Sequence, residues 1–244
     1  MSPNLSGRVA LVTGGSRGIG AAIALALGAA GAAVAVNYRQ RAEEALSVAA
    51  AITAIGLKSI AVAADVSDVA AVAKMLATVT EQVGPIDILV NNAGIALIRG
   101  LDDLTERDFD QTIAVNLKSA FLCTQAALPH MRAQAWGRIV NISSGAARGA
   151  GGVGLHYNAS KAGLEGLTRG YAARLVQHGI TVNAVAPSLI ETDMLRSGLA
   201  TSPSRIPLGR FGTPDEVAQV VLMLIGNAYM TGQTVALSGG LSFN

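Results

Sequence analysis

A tyrosine and a lysine four positions apart carry the clearest chemical signal in this sequence: Tyr157 and Lys161, in the stretch HYNASK. Positions i and i+4 share one face of a helix, so the ammonium group would lie beside the phenol. For a phenol to exchange protons near neutral pH, its pKa must fall by about three units, which takes about 4 kcal/mol. A lysine charge about 4 Å away supplies roughly that much at an effective dielectric constant near 20. The pair therefore predicts a tyrosine that passes a proton to or from a substrate.

The composition predicts one continuous domain over residues 1–244. No proline- or serine-rich linker divides the chain, of which 51% is hydrophobic and 14% charged. So little charge favours an oligomer over an isolated monomer. The formal net charge of +2, from scattered cations, does not suggest a nucleic-acid partner.

The cysteine content and the N-terminus predict a cytoplasmic protein. The only cysteine, Cys123, excludes an intramolecular disulfide and is expected to fill the core. No signal-peptide pattern is visible. The uncharged run 18–36 is rich in alanine and glycine, which favours a helix, a turn and a strand over a membrane span.

Short runs of valine and isoleucine alternate with helical patterns along the chain. Strands are predicted at 8–13, 33–37, 59–63, 87–91, 138–142, 181–186 and 234–238. Helices are predicted at 18–30, 42–55, 68–82, 105–134, 158–178 and 214–226. The strands are continuously apolar, as expected where helices cover both faces of a parallel sheet. The pattern predicts an α/β protein with a three-layer, doubly wound Rossmann fold and a seven-stranded parallel sheet.

A glycine-rich segment, TGGSRGIG at 13–20, joins the first strand to the first helix. Gly14, Gly18 and Gly20 permit a tight turn, and the following helix offers unpaired N–H groups to a diphosphate. The spacing is not the common G-x-G-x-x-G, so an ordinary turn before an alanine-rich helix is the alternative.

The end of the second strand predicts NADP(H) rather than NAD(H). NAD-binding versions of this fold place an acid there for the ribose 2′-hydroxyl. This strand ends in NYRQR, and the first acid is Glu43. Arg17, Arg39 and Arg41 could pair with a 2′-phosphate, because guanidinium groups suit phosphate geometry. The alternative is that Arg39 and Arg41 simply face water.

Five motifs, TGGSRGIG, NNAG, VNLKS, YNASK and NAVAP followed by IETDM, resemble those of the short-chain dehydrogenase/reductase family in order and spacing. The resemblance covers essentially the whole chain. IPLGRFGTPDEVA and TGQTVALSGG make it most similar to 3-oxoacyl-[acyl-carrier-protein] reductase-type members, which act in fatty acid biosynthesis. The resemblance implies an NADPH-dependent carbonyl reductase that converts a ketone, such as an acyl thioester, to a secondary alcohol.

The resemblance also implies the site residues. The catalytic set would be Asn116, Ser144, Tyr157 and Lys161. Ser144 would hold the substrate oxygen, and Asn116 would bend a helix and anchor a water that relays protons through Lys161. The cofactor set would be Gly14, Ser16, Arg17, Gly18, Ile19, Gly20, Asn37, Tyr38, Arg39, Asp65, Val66, Asn92, Ala93, Gly94, Tyr157, Lys161, Pro187, Ile190 and Thr192.

Within the cofactor set, Asp65 and Val66 would hold the adenine and Asn92 would line the ribose. Ile190 and Thr192 would contact the nicotinamide carboxamide. Two alternatives remain: Asp65 as a turn residue before the next helix, and Asn91 and Asn92 as braces for the sheet edge.

Two neighbours of the catalytic set are rivals for its roles. Ser143 would point away from the site that Ser144 faces. His156 would project about 100° from Tyr157 around a helix, so it is not expected to be the acid. With only three histidines and one cysteine, the sequence shows no metal cluster.

Gly163, Gly166 and Gly170 would lie on one face of the helix after Tyr157. Each costs about 1 kcal/mol relative to alanine, so close helix–helix approach is expected to offset them. The resemblance implies that this helix and the one at 105–134 form a dimer interface within a homotetramer. The alternative is packing within the same chain.

Three departures from the family pattern concern the substrate end. Pro187 is followed by Ser188 where the family commonly has glycine, and Ser238 replaces a usual asparagine. The segment that normally forms the substrate lid, about 191–208, is short. Alternatives to the reductase are therefore a secondary-alcohol or sugar-type dehydrogenase, or a catalytically silent NADP(H) sensor.

Overall fold

A computed structural model describes residues 3–196 and 201–243 of the chain. Its centre is a seven-stranded, all-parallel sheet with strand order β3-β2-β1-β4-β5-β6-β7. The strands are β1 Val9–Val12, β2 Ala33–Tyr38, β3 Ser59–Ala63, β4 Ile88–Asn91, β5 Gly137–Ile142, β6 Ile180–Pro187 and β7 Thr234–Leu237. The predicted fold class is confirmed, since the strand order reverses direction between β1 and β4 as in a doubly wound sheet.

Helices cover both faces of the sheet. They are α1 Gly18–Ala29, α2 Ala42–Ala54, α3 Val69–Gln82, α4 Glu106–Ile113, α5 Ser119–Ala133, α6 Leu155–Leu175, α7 Asp193–Arg196 and α8 Pro214–Gly226. Side chains of α1, α2 and α8 form the core on one face, and those of α3, α5 and α6 form it on the other. Among the described residues, no helix has the length and apolar character needed to cross a membrane.

The helix predicted at 105–134 differs most from the structure. It divides into α4 and α5, which are joined by a π-helical segment, Ala114–Lys118. A π turn inserts one extra residue into a helix and is often found at functional sites. Here it turns Asn116 toward the loop after β4, where the side chain bonds to Ile95.

The helix predicted at 158–178 begins and ends differently. α6 begins at Leu155, directly after Gly154, whose φ of 140° only glycine adopts readily. Residues Val176–His178 form a 3₁₀ turn that ends at Gly179, where φ is 69°. Tyr157 and Lys161 therefore both lie in the first two turns of α6.

Candidate active site

The glycine-rich turn after β1 is closely packed on every side. Gly14 has a φ of 61°, and a Cβ there would lie 2.9 Å from Ala93 Cα. A Cβ on Gly20 would overlap the carbonyl oxygen of Gly14 and lie 2.5 Å from Asn92 Nδ2. Arg17, the N-cap of α1, makes no side-chain cap, so the first N–H groups of this helix keep their capacity for an anion. The turn fits a dinucleotide diphosphate.

Two predicted cofactor residues brace this turn instead of facing outward. Asn92 Nδ2 donates to the carbonyl oxygens of Thr13 and Gly14, both at 2.9 Å. Asn37 is buried, and its Oδ1 accepts from Gly14 N at 3.2 Å while Nδ2 donates to Val62 O and Ala64 O. Both side chains therefore act as braces within the protein. Bracing was the alternative that the sequence left open for Asn92.

The three predicted phosphate-binding cations are each paired with a carboxylate. Arg39 Nη1 lies 3.3 Å from Asp65 Oδ2, and Arg17 Nη1 lies 2.7 Å from Asp193 Oδ2. Arg41 pairs with Glu44 at the start of α2. These pairs are exposed and contribute little to stability, so each arginine can exchange its carboxylate for a phosphate partner.

Asp65 also caps the turn after β3. Its Oδ1 accepts from both the N–H and the hydroxyl of Ser67, at 2.9 and 2.6 Å. Burial opposes ionisation, but the bonds from Ser67 and Arg39 hold the pKa of Asp65 below its ordinary value. Asp65 is thus an ionised turn residue, and it still lies beside Arg39 at the predicted adenine end.

Ser144 and Tyr157 come together at the end of β5. The Ser144 hydroxyl faces the Tyr157 phenol, and Ser144 Oγ accepts from Ala146 N at 3.2 Å. Burial raises the pKa of Tyr157, an effect that the neighbouring Ser144 hydroxyl opposes. The phenol is therefore held in its protonated form, ready to donate.

Lys161 is buried one helical turn after Tyr157. Its Nζ donates to Ile142 O at 2.8 Å and lies 5.7 Å from the centre of the Tyr157 ring. Burial lowers the pKa of Lys161 to about 8. An amine with this pKa exchanges protons near neutral pH.

The expectation that the charge of Lys161 lowers the phenol pKa is wrong for this structure. A lysine charge about 4 Å from a phenol lowers its pKa only if the free energy cost of burying the two groups is small. In the fold, desolvation dominates, and it favours the neutral form of the phenol and of the amine alike.

Asn116 shares a small space with Lys161 and Gly94. Its Oδ1 accepts from Ile95 N at 2.8 Å, and its Nδ2 donates to Ile95 O at 3.0 Å and to Ser160 Oγ at 3.2 Å. A Cβ on Gly94 would lie 3.4 Å from Asn116 Oδ1 and 3.6 Å from Lys161 Nζ. The structure thus brings Asn116, Lys161 and Tyr157 into one cluster.

The remaining predicted residues border the same strand ends. Thr192 lies against the start of α1, since a Cβ on Gly18 would be 3.3 Å from Thr192 Cγ2. Ile190 is buried beside Gly212. Val66 is buried in the core, and Ile19 lies in the first turn of α1. Ser16, Tyr38, Ala93 and Pro187 occupy the turns or ends of the strands β1, β2, β4 and β6.

Ser143 and His156 are both buried and directed away from the Ser144–Tyr157 pair. Ser143 Oγ lies 3.3 Å from Glu165 Oε1. His156 Nε2 lies 2.8 Å from Leu97 O. Sequence reasoning overlooked Glu165, although its position four residues after Lys161 could have placed it on the same side of α6.

Ser188, the departure from the family glycine, packs directly on Gly145. A Cβ on Gly145 would overlap Ser188 Oγ. The residue with the unusual backbone is the next one, Leu189, whose φ is 51°. The contact joins the loop after β5 to the loop after β6.

This contact predicts that Gly145→Ala lowers the free energy of unfolding by about 1 kcal/mol, because the methyl group forces the Ser188 hydroxyl out of its present rotamer. Ser188→Gly in the same chain should remove the overlap and restore most of that loss. Urea unfolding of both single variants and the double variant measures the coupling. Strictly additive effects would contradict the packing described here.

The three glycines of α6 differ in what they contact. A Cβ on Gly163 would lie 2.8 Å from Leu117 Cδ2 in the π-helical segment. Beyond their own neighbours on α6, Gly166 and Gly170 have no atoms within 4 Å of a built Cβ among the described residues. Packing within the chain therefore accounts for Gly163 alone.

Comparisons with known proteins give consistent results. The family model described as enoyl-(acyl carrier protein) reductase matches residues 14–242. The chain is 44% identical over 242 residues to the 3-oxoacyl-[acyl-carrier-protein] reductase of Synechocystis sp., covering 97% of this chain and 98% of that one. It is 39% identical over 249 residues to nodulation protein G of Azospirillum brasilense, covering 98% of this chain and 100% of that one.

Solved structures match over the same length. A short-chain dehydrogenase/reductase from Serratia marcescens is 40% identical with a TM-score of 0.91, covering 98% of this chain and 100% of that one. A blue fluorescent protein from a metagenomic library, crystallised in complex with NADPH, is 38% identical with a TM-score of 0.92 at the same coverage.

Proposed function

Because the chain belongs to the short-chain dehydrogenase/reductase family of NAD(P)-dependent oxidoreductases acting on CH–OH and C=O groups, we propose that it reduces ketones to secondary alcohols with NADPH. The observation that carries the proposal is the placement of the Ser144 hydroxyl beside the Tyr157 phenol, with buried Lys161 one turn away. Two neighbouring hydroxyls can donate to one carbonyl oxygen, which matches reduction of C=O rather than protonation at carbon.

The residues divide the work of such a reduction. Bound NADPH supplies the hydride that reaches the carbonyl carbon. As the C=O bond opens, Tyr157 Oη gives its proton to the oxygen, and Ser144 Oγ holds that oxygen in place. Lys161 Nζ, with its pKa of about 8, takes part in restoring the proton of Tyr157. Asn116, adjacent to Lys161, positions this relay.

The raised pKa of Tyr157 supports the reductive direction. A phenol that is protonated at neutral pH is ready to act as an acid, whereas alcohol oxidation needs it as a base. The secondary-alcohol or sugar-type dehydrogenase is therefore the second candidate, favoured at alkaline pH.

We propose NADPH as the coenzyme because Arg39 stands at the end of β2, where the segment NYRQR itself carries no acid. Arg39→Ala should raise KM for NADPH about 10- to 100-fold, since a charge-assisted bond to phosphate contributes about 1.5–3 kcal/mol, and leave KM for NADH nearly unchanged. Steady-state kinetics with both coenzymes measures this. The control is Arg169→Ala, which removes an exposed cation on α6. A wild-type kcat/KM that is higher with NADH would overturn the assignment.

The substrate class follows from the relatives. The Synechocystis relative is a 3-oxoacyl-[acyl-carrier-protein] reductase, so we propose a 3-oxoacyl thioester for this chain. The predicted lid, 191–208, falls partly outside the described residues. Coenzyme oxidation should be measured with acetoacetyl thioesters, aliphatic ketones and aromatic ketones. Turnover of any ketone supports a reductase; NADPH binding without turnover would indicate a sensor instead.

We further propose a homotetramer of single-domain chains in the cytoplasm. Gly166 and Gly170 add no side chain to the surface of α6, and Phe121 on α5 and Leu155 at the start of α6 are exposed apolar residues. Buried, reduced Cys123 is compatible with a reducing compartment. Sedimentation equilibrium should give four times the chain mass, and a monomer at micromolar concentration would exclude this assembly.

A further inference from the structure

One buried carboxylate beside the catalytic groups has no part in the proposed proton transfer. Glu165 lies on α6 one turn after Lys161, and its side chain is only 5% exposed. A buried carboxylate is unfavourable unless charged or polar partners compensate for its lost hydration. The partners of Glu165 are Arg148 and Ser143, which flank Ser144 in the sequence.

The contacts join three segments of the active site. Arg148 Nε donates to Glu165 Oε2 at 3.0 Å. The hydroxyl of Ser143 lies 3.3 Å from Glu165 Oε1 and 3.3 Å from the carbonyl oxygen of Lys161, so it can donate to either. One carboxylate thus links α6 to the chain on both sides of Ser144.

Loop 145–150, which directly follows Ser144, has few other side chains that attach it to the rest of the chain. Residues 145–150 read GAARGA, so Arg148 is their only long side chain. A second anchor comes from α6 itself, where Asn158 Nδ2 donates to Ala146 O at 2.9 Å and to Ala150 O at 2.7 Å. The loop is therefore held at one turn of α6 by Asn158 and two turns further along by Glu165.

We propose that Glu165 is a positioning residue: through Arg148 and Ser143 it holds loop 145–150 against α6 and directs the hydroxyl of Ser144 toward Tyr157. Ser143 and Ser144 point in opposite directions on consecutive residues, so holding the first sets the direction of the second. The kinetic consequence rests on the proposed reductase function; the attachment of the loop does not.

The first test is Glu165→Gln, which keeps the shape and removes the charge. We expect kcat/KM for a ketone to fall at least about tenfold, because misplacing a catalytic group by about 1 Å has effects of this size. The Kd for NADPH, from coenzyme fluorescence, should stay within twofold. Backbone amides of 145–150 should exchange hydrogen faster than in the wild type.

A second variant separates positioning from general stability. Glu165→Leu with Arg148→Met replaces the ion pair by apolar side chains, a change that is often neutral or stabilising. We expect its Tm to equal or exceed that of Glu165→Gln, while kcat/KM stays at least about tenfold below wild type. Recovery of kcat/KM along with Tm would show that Glu165 acts only on stability and would overturn the proposal.

The two readouts also separate this inference from the proposed function. If the wild type reduces ketones but Glu165→Gln changes neither kcat/KM nor exchange at 145–150, the positioning role is wrong. If the wild type reduces no ketone while exchange still rises in Glu165→Gln, the loop attachment stands and the reductase function fails.

Discussion

Tyr157→Phe should lower kcat for ketone reduction by about 10³-fold or more while leaving the Kd for NADPH within about twofold. The variant loses the phenolic proton that we propose reaches the substrate oxygen, and a positioned acid contributes about 10²–10⁴-fold. Ser144 then faces a ring that can neither donate nor accept. Stopped-flow measurement of NADPH oxidation under single-turnover conditions gives the chemical step directly.

Tyr171→Phe is the matched control, because it removes a phenol from the same helix. Its hydroxyl accepts from Gln125 at 2.9 Å, away from Ser144 and Lys161. Its kcat should remain within about twofold of wild type. Wild-type-like turnover in Tyr157→Phe would remove Tyr157 as the acid and with it the proposed mechanism.

Gly20→Ala should raise the Kd for NADPH at least about 100-fold. The added methyl group would overlap Gly14 O and press on the Asn92 amide, so the turn must open and its N–H groups lose their alignment. The free energy of unfolding should also fall by about 1–3 kcal/mol. Coenzyme titration and urea unfolding measure the two effects.

Gly166→Ala adds the same methyl group to another helical glycine. Among the described residues, a Cβ there meets nothing closer than Arg169 Nη2 at 3.9 Å. Its Kd for NADPH should be unchanged, and helix propensity alone would stabilise the chain by up to about 1 kcal/mol. Equal losses of coenzyme affinity in both variants would mean that the effect does not come from the turn.

The fold was predictable because its signals are local. Continuous apolar runs such as 9–12 and the glycines of 13–20 specify strands and a turn without reference to distant residues. The grouping of Ser144, Tyr157, Lys161 and Asn116 followed from a family resemblance rather than from spacing alone. The structure brings these four together, and their catalytic roles remain predictions for the variants above.

What the sequence could not provide depends on contacts between distant segments. The π turn at Asn116 arises where a polar side chain meets the loop at Ile95, 21 residues away. The raised pKa of Tyr157 results from burial. Burial depends on the whole fold and cannot be predicted from the spacing of Tyr157 and Lys161. The Glu165–Arg148 pair was missed for the same reason, since neither residue belongs to a recognisable motif.

The brace on the coenzyme turn has a consequence for how the chain folds. Asn92, which holds the carbonyl oxygens of Thr13 and Gly14, lies 79 and 78 residues further along the chain. β1 gains this support only when β4 docks beside it, a long-range pairing of the kind that makes parallel sheets slow to form. In a nascent chain still lacking β4 the turn has only the support of Asn37, so we expect coenzyme affinity to appear when the centre of the sheet is complete.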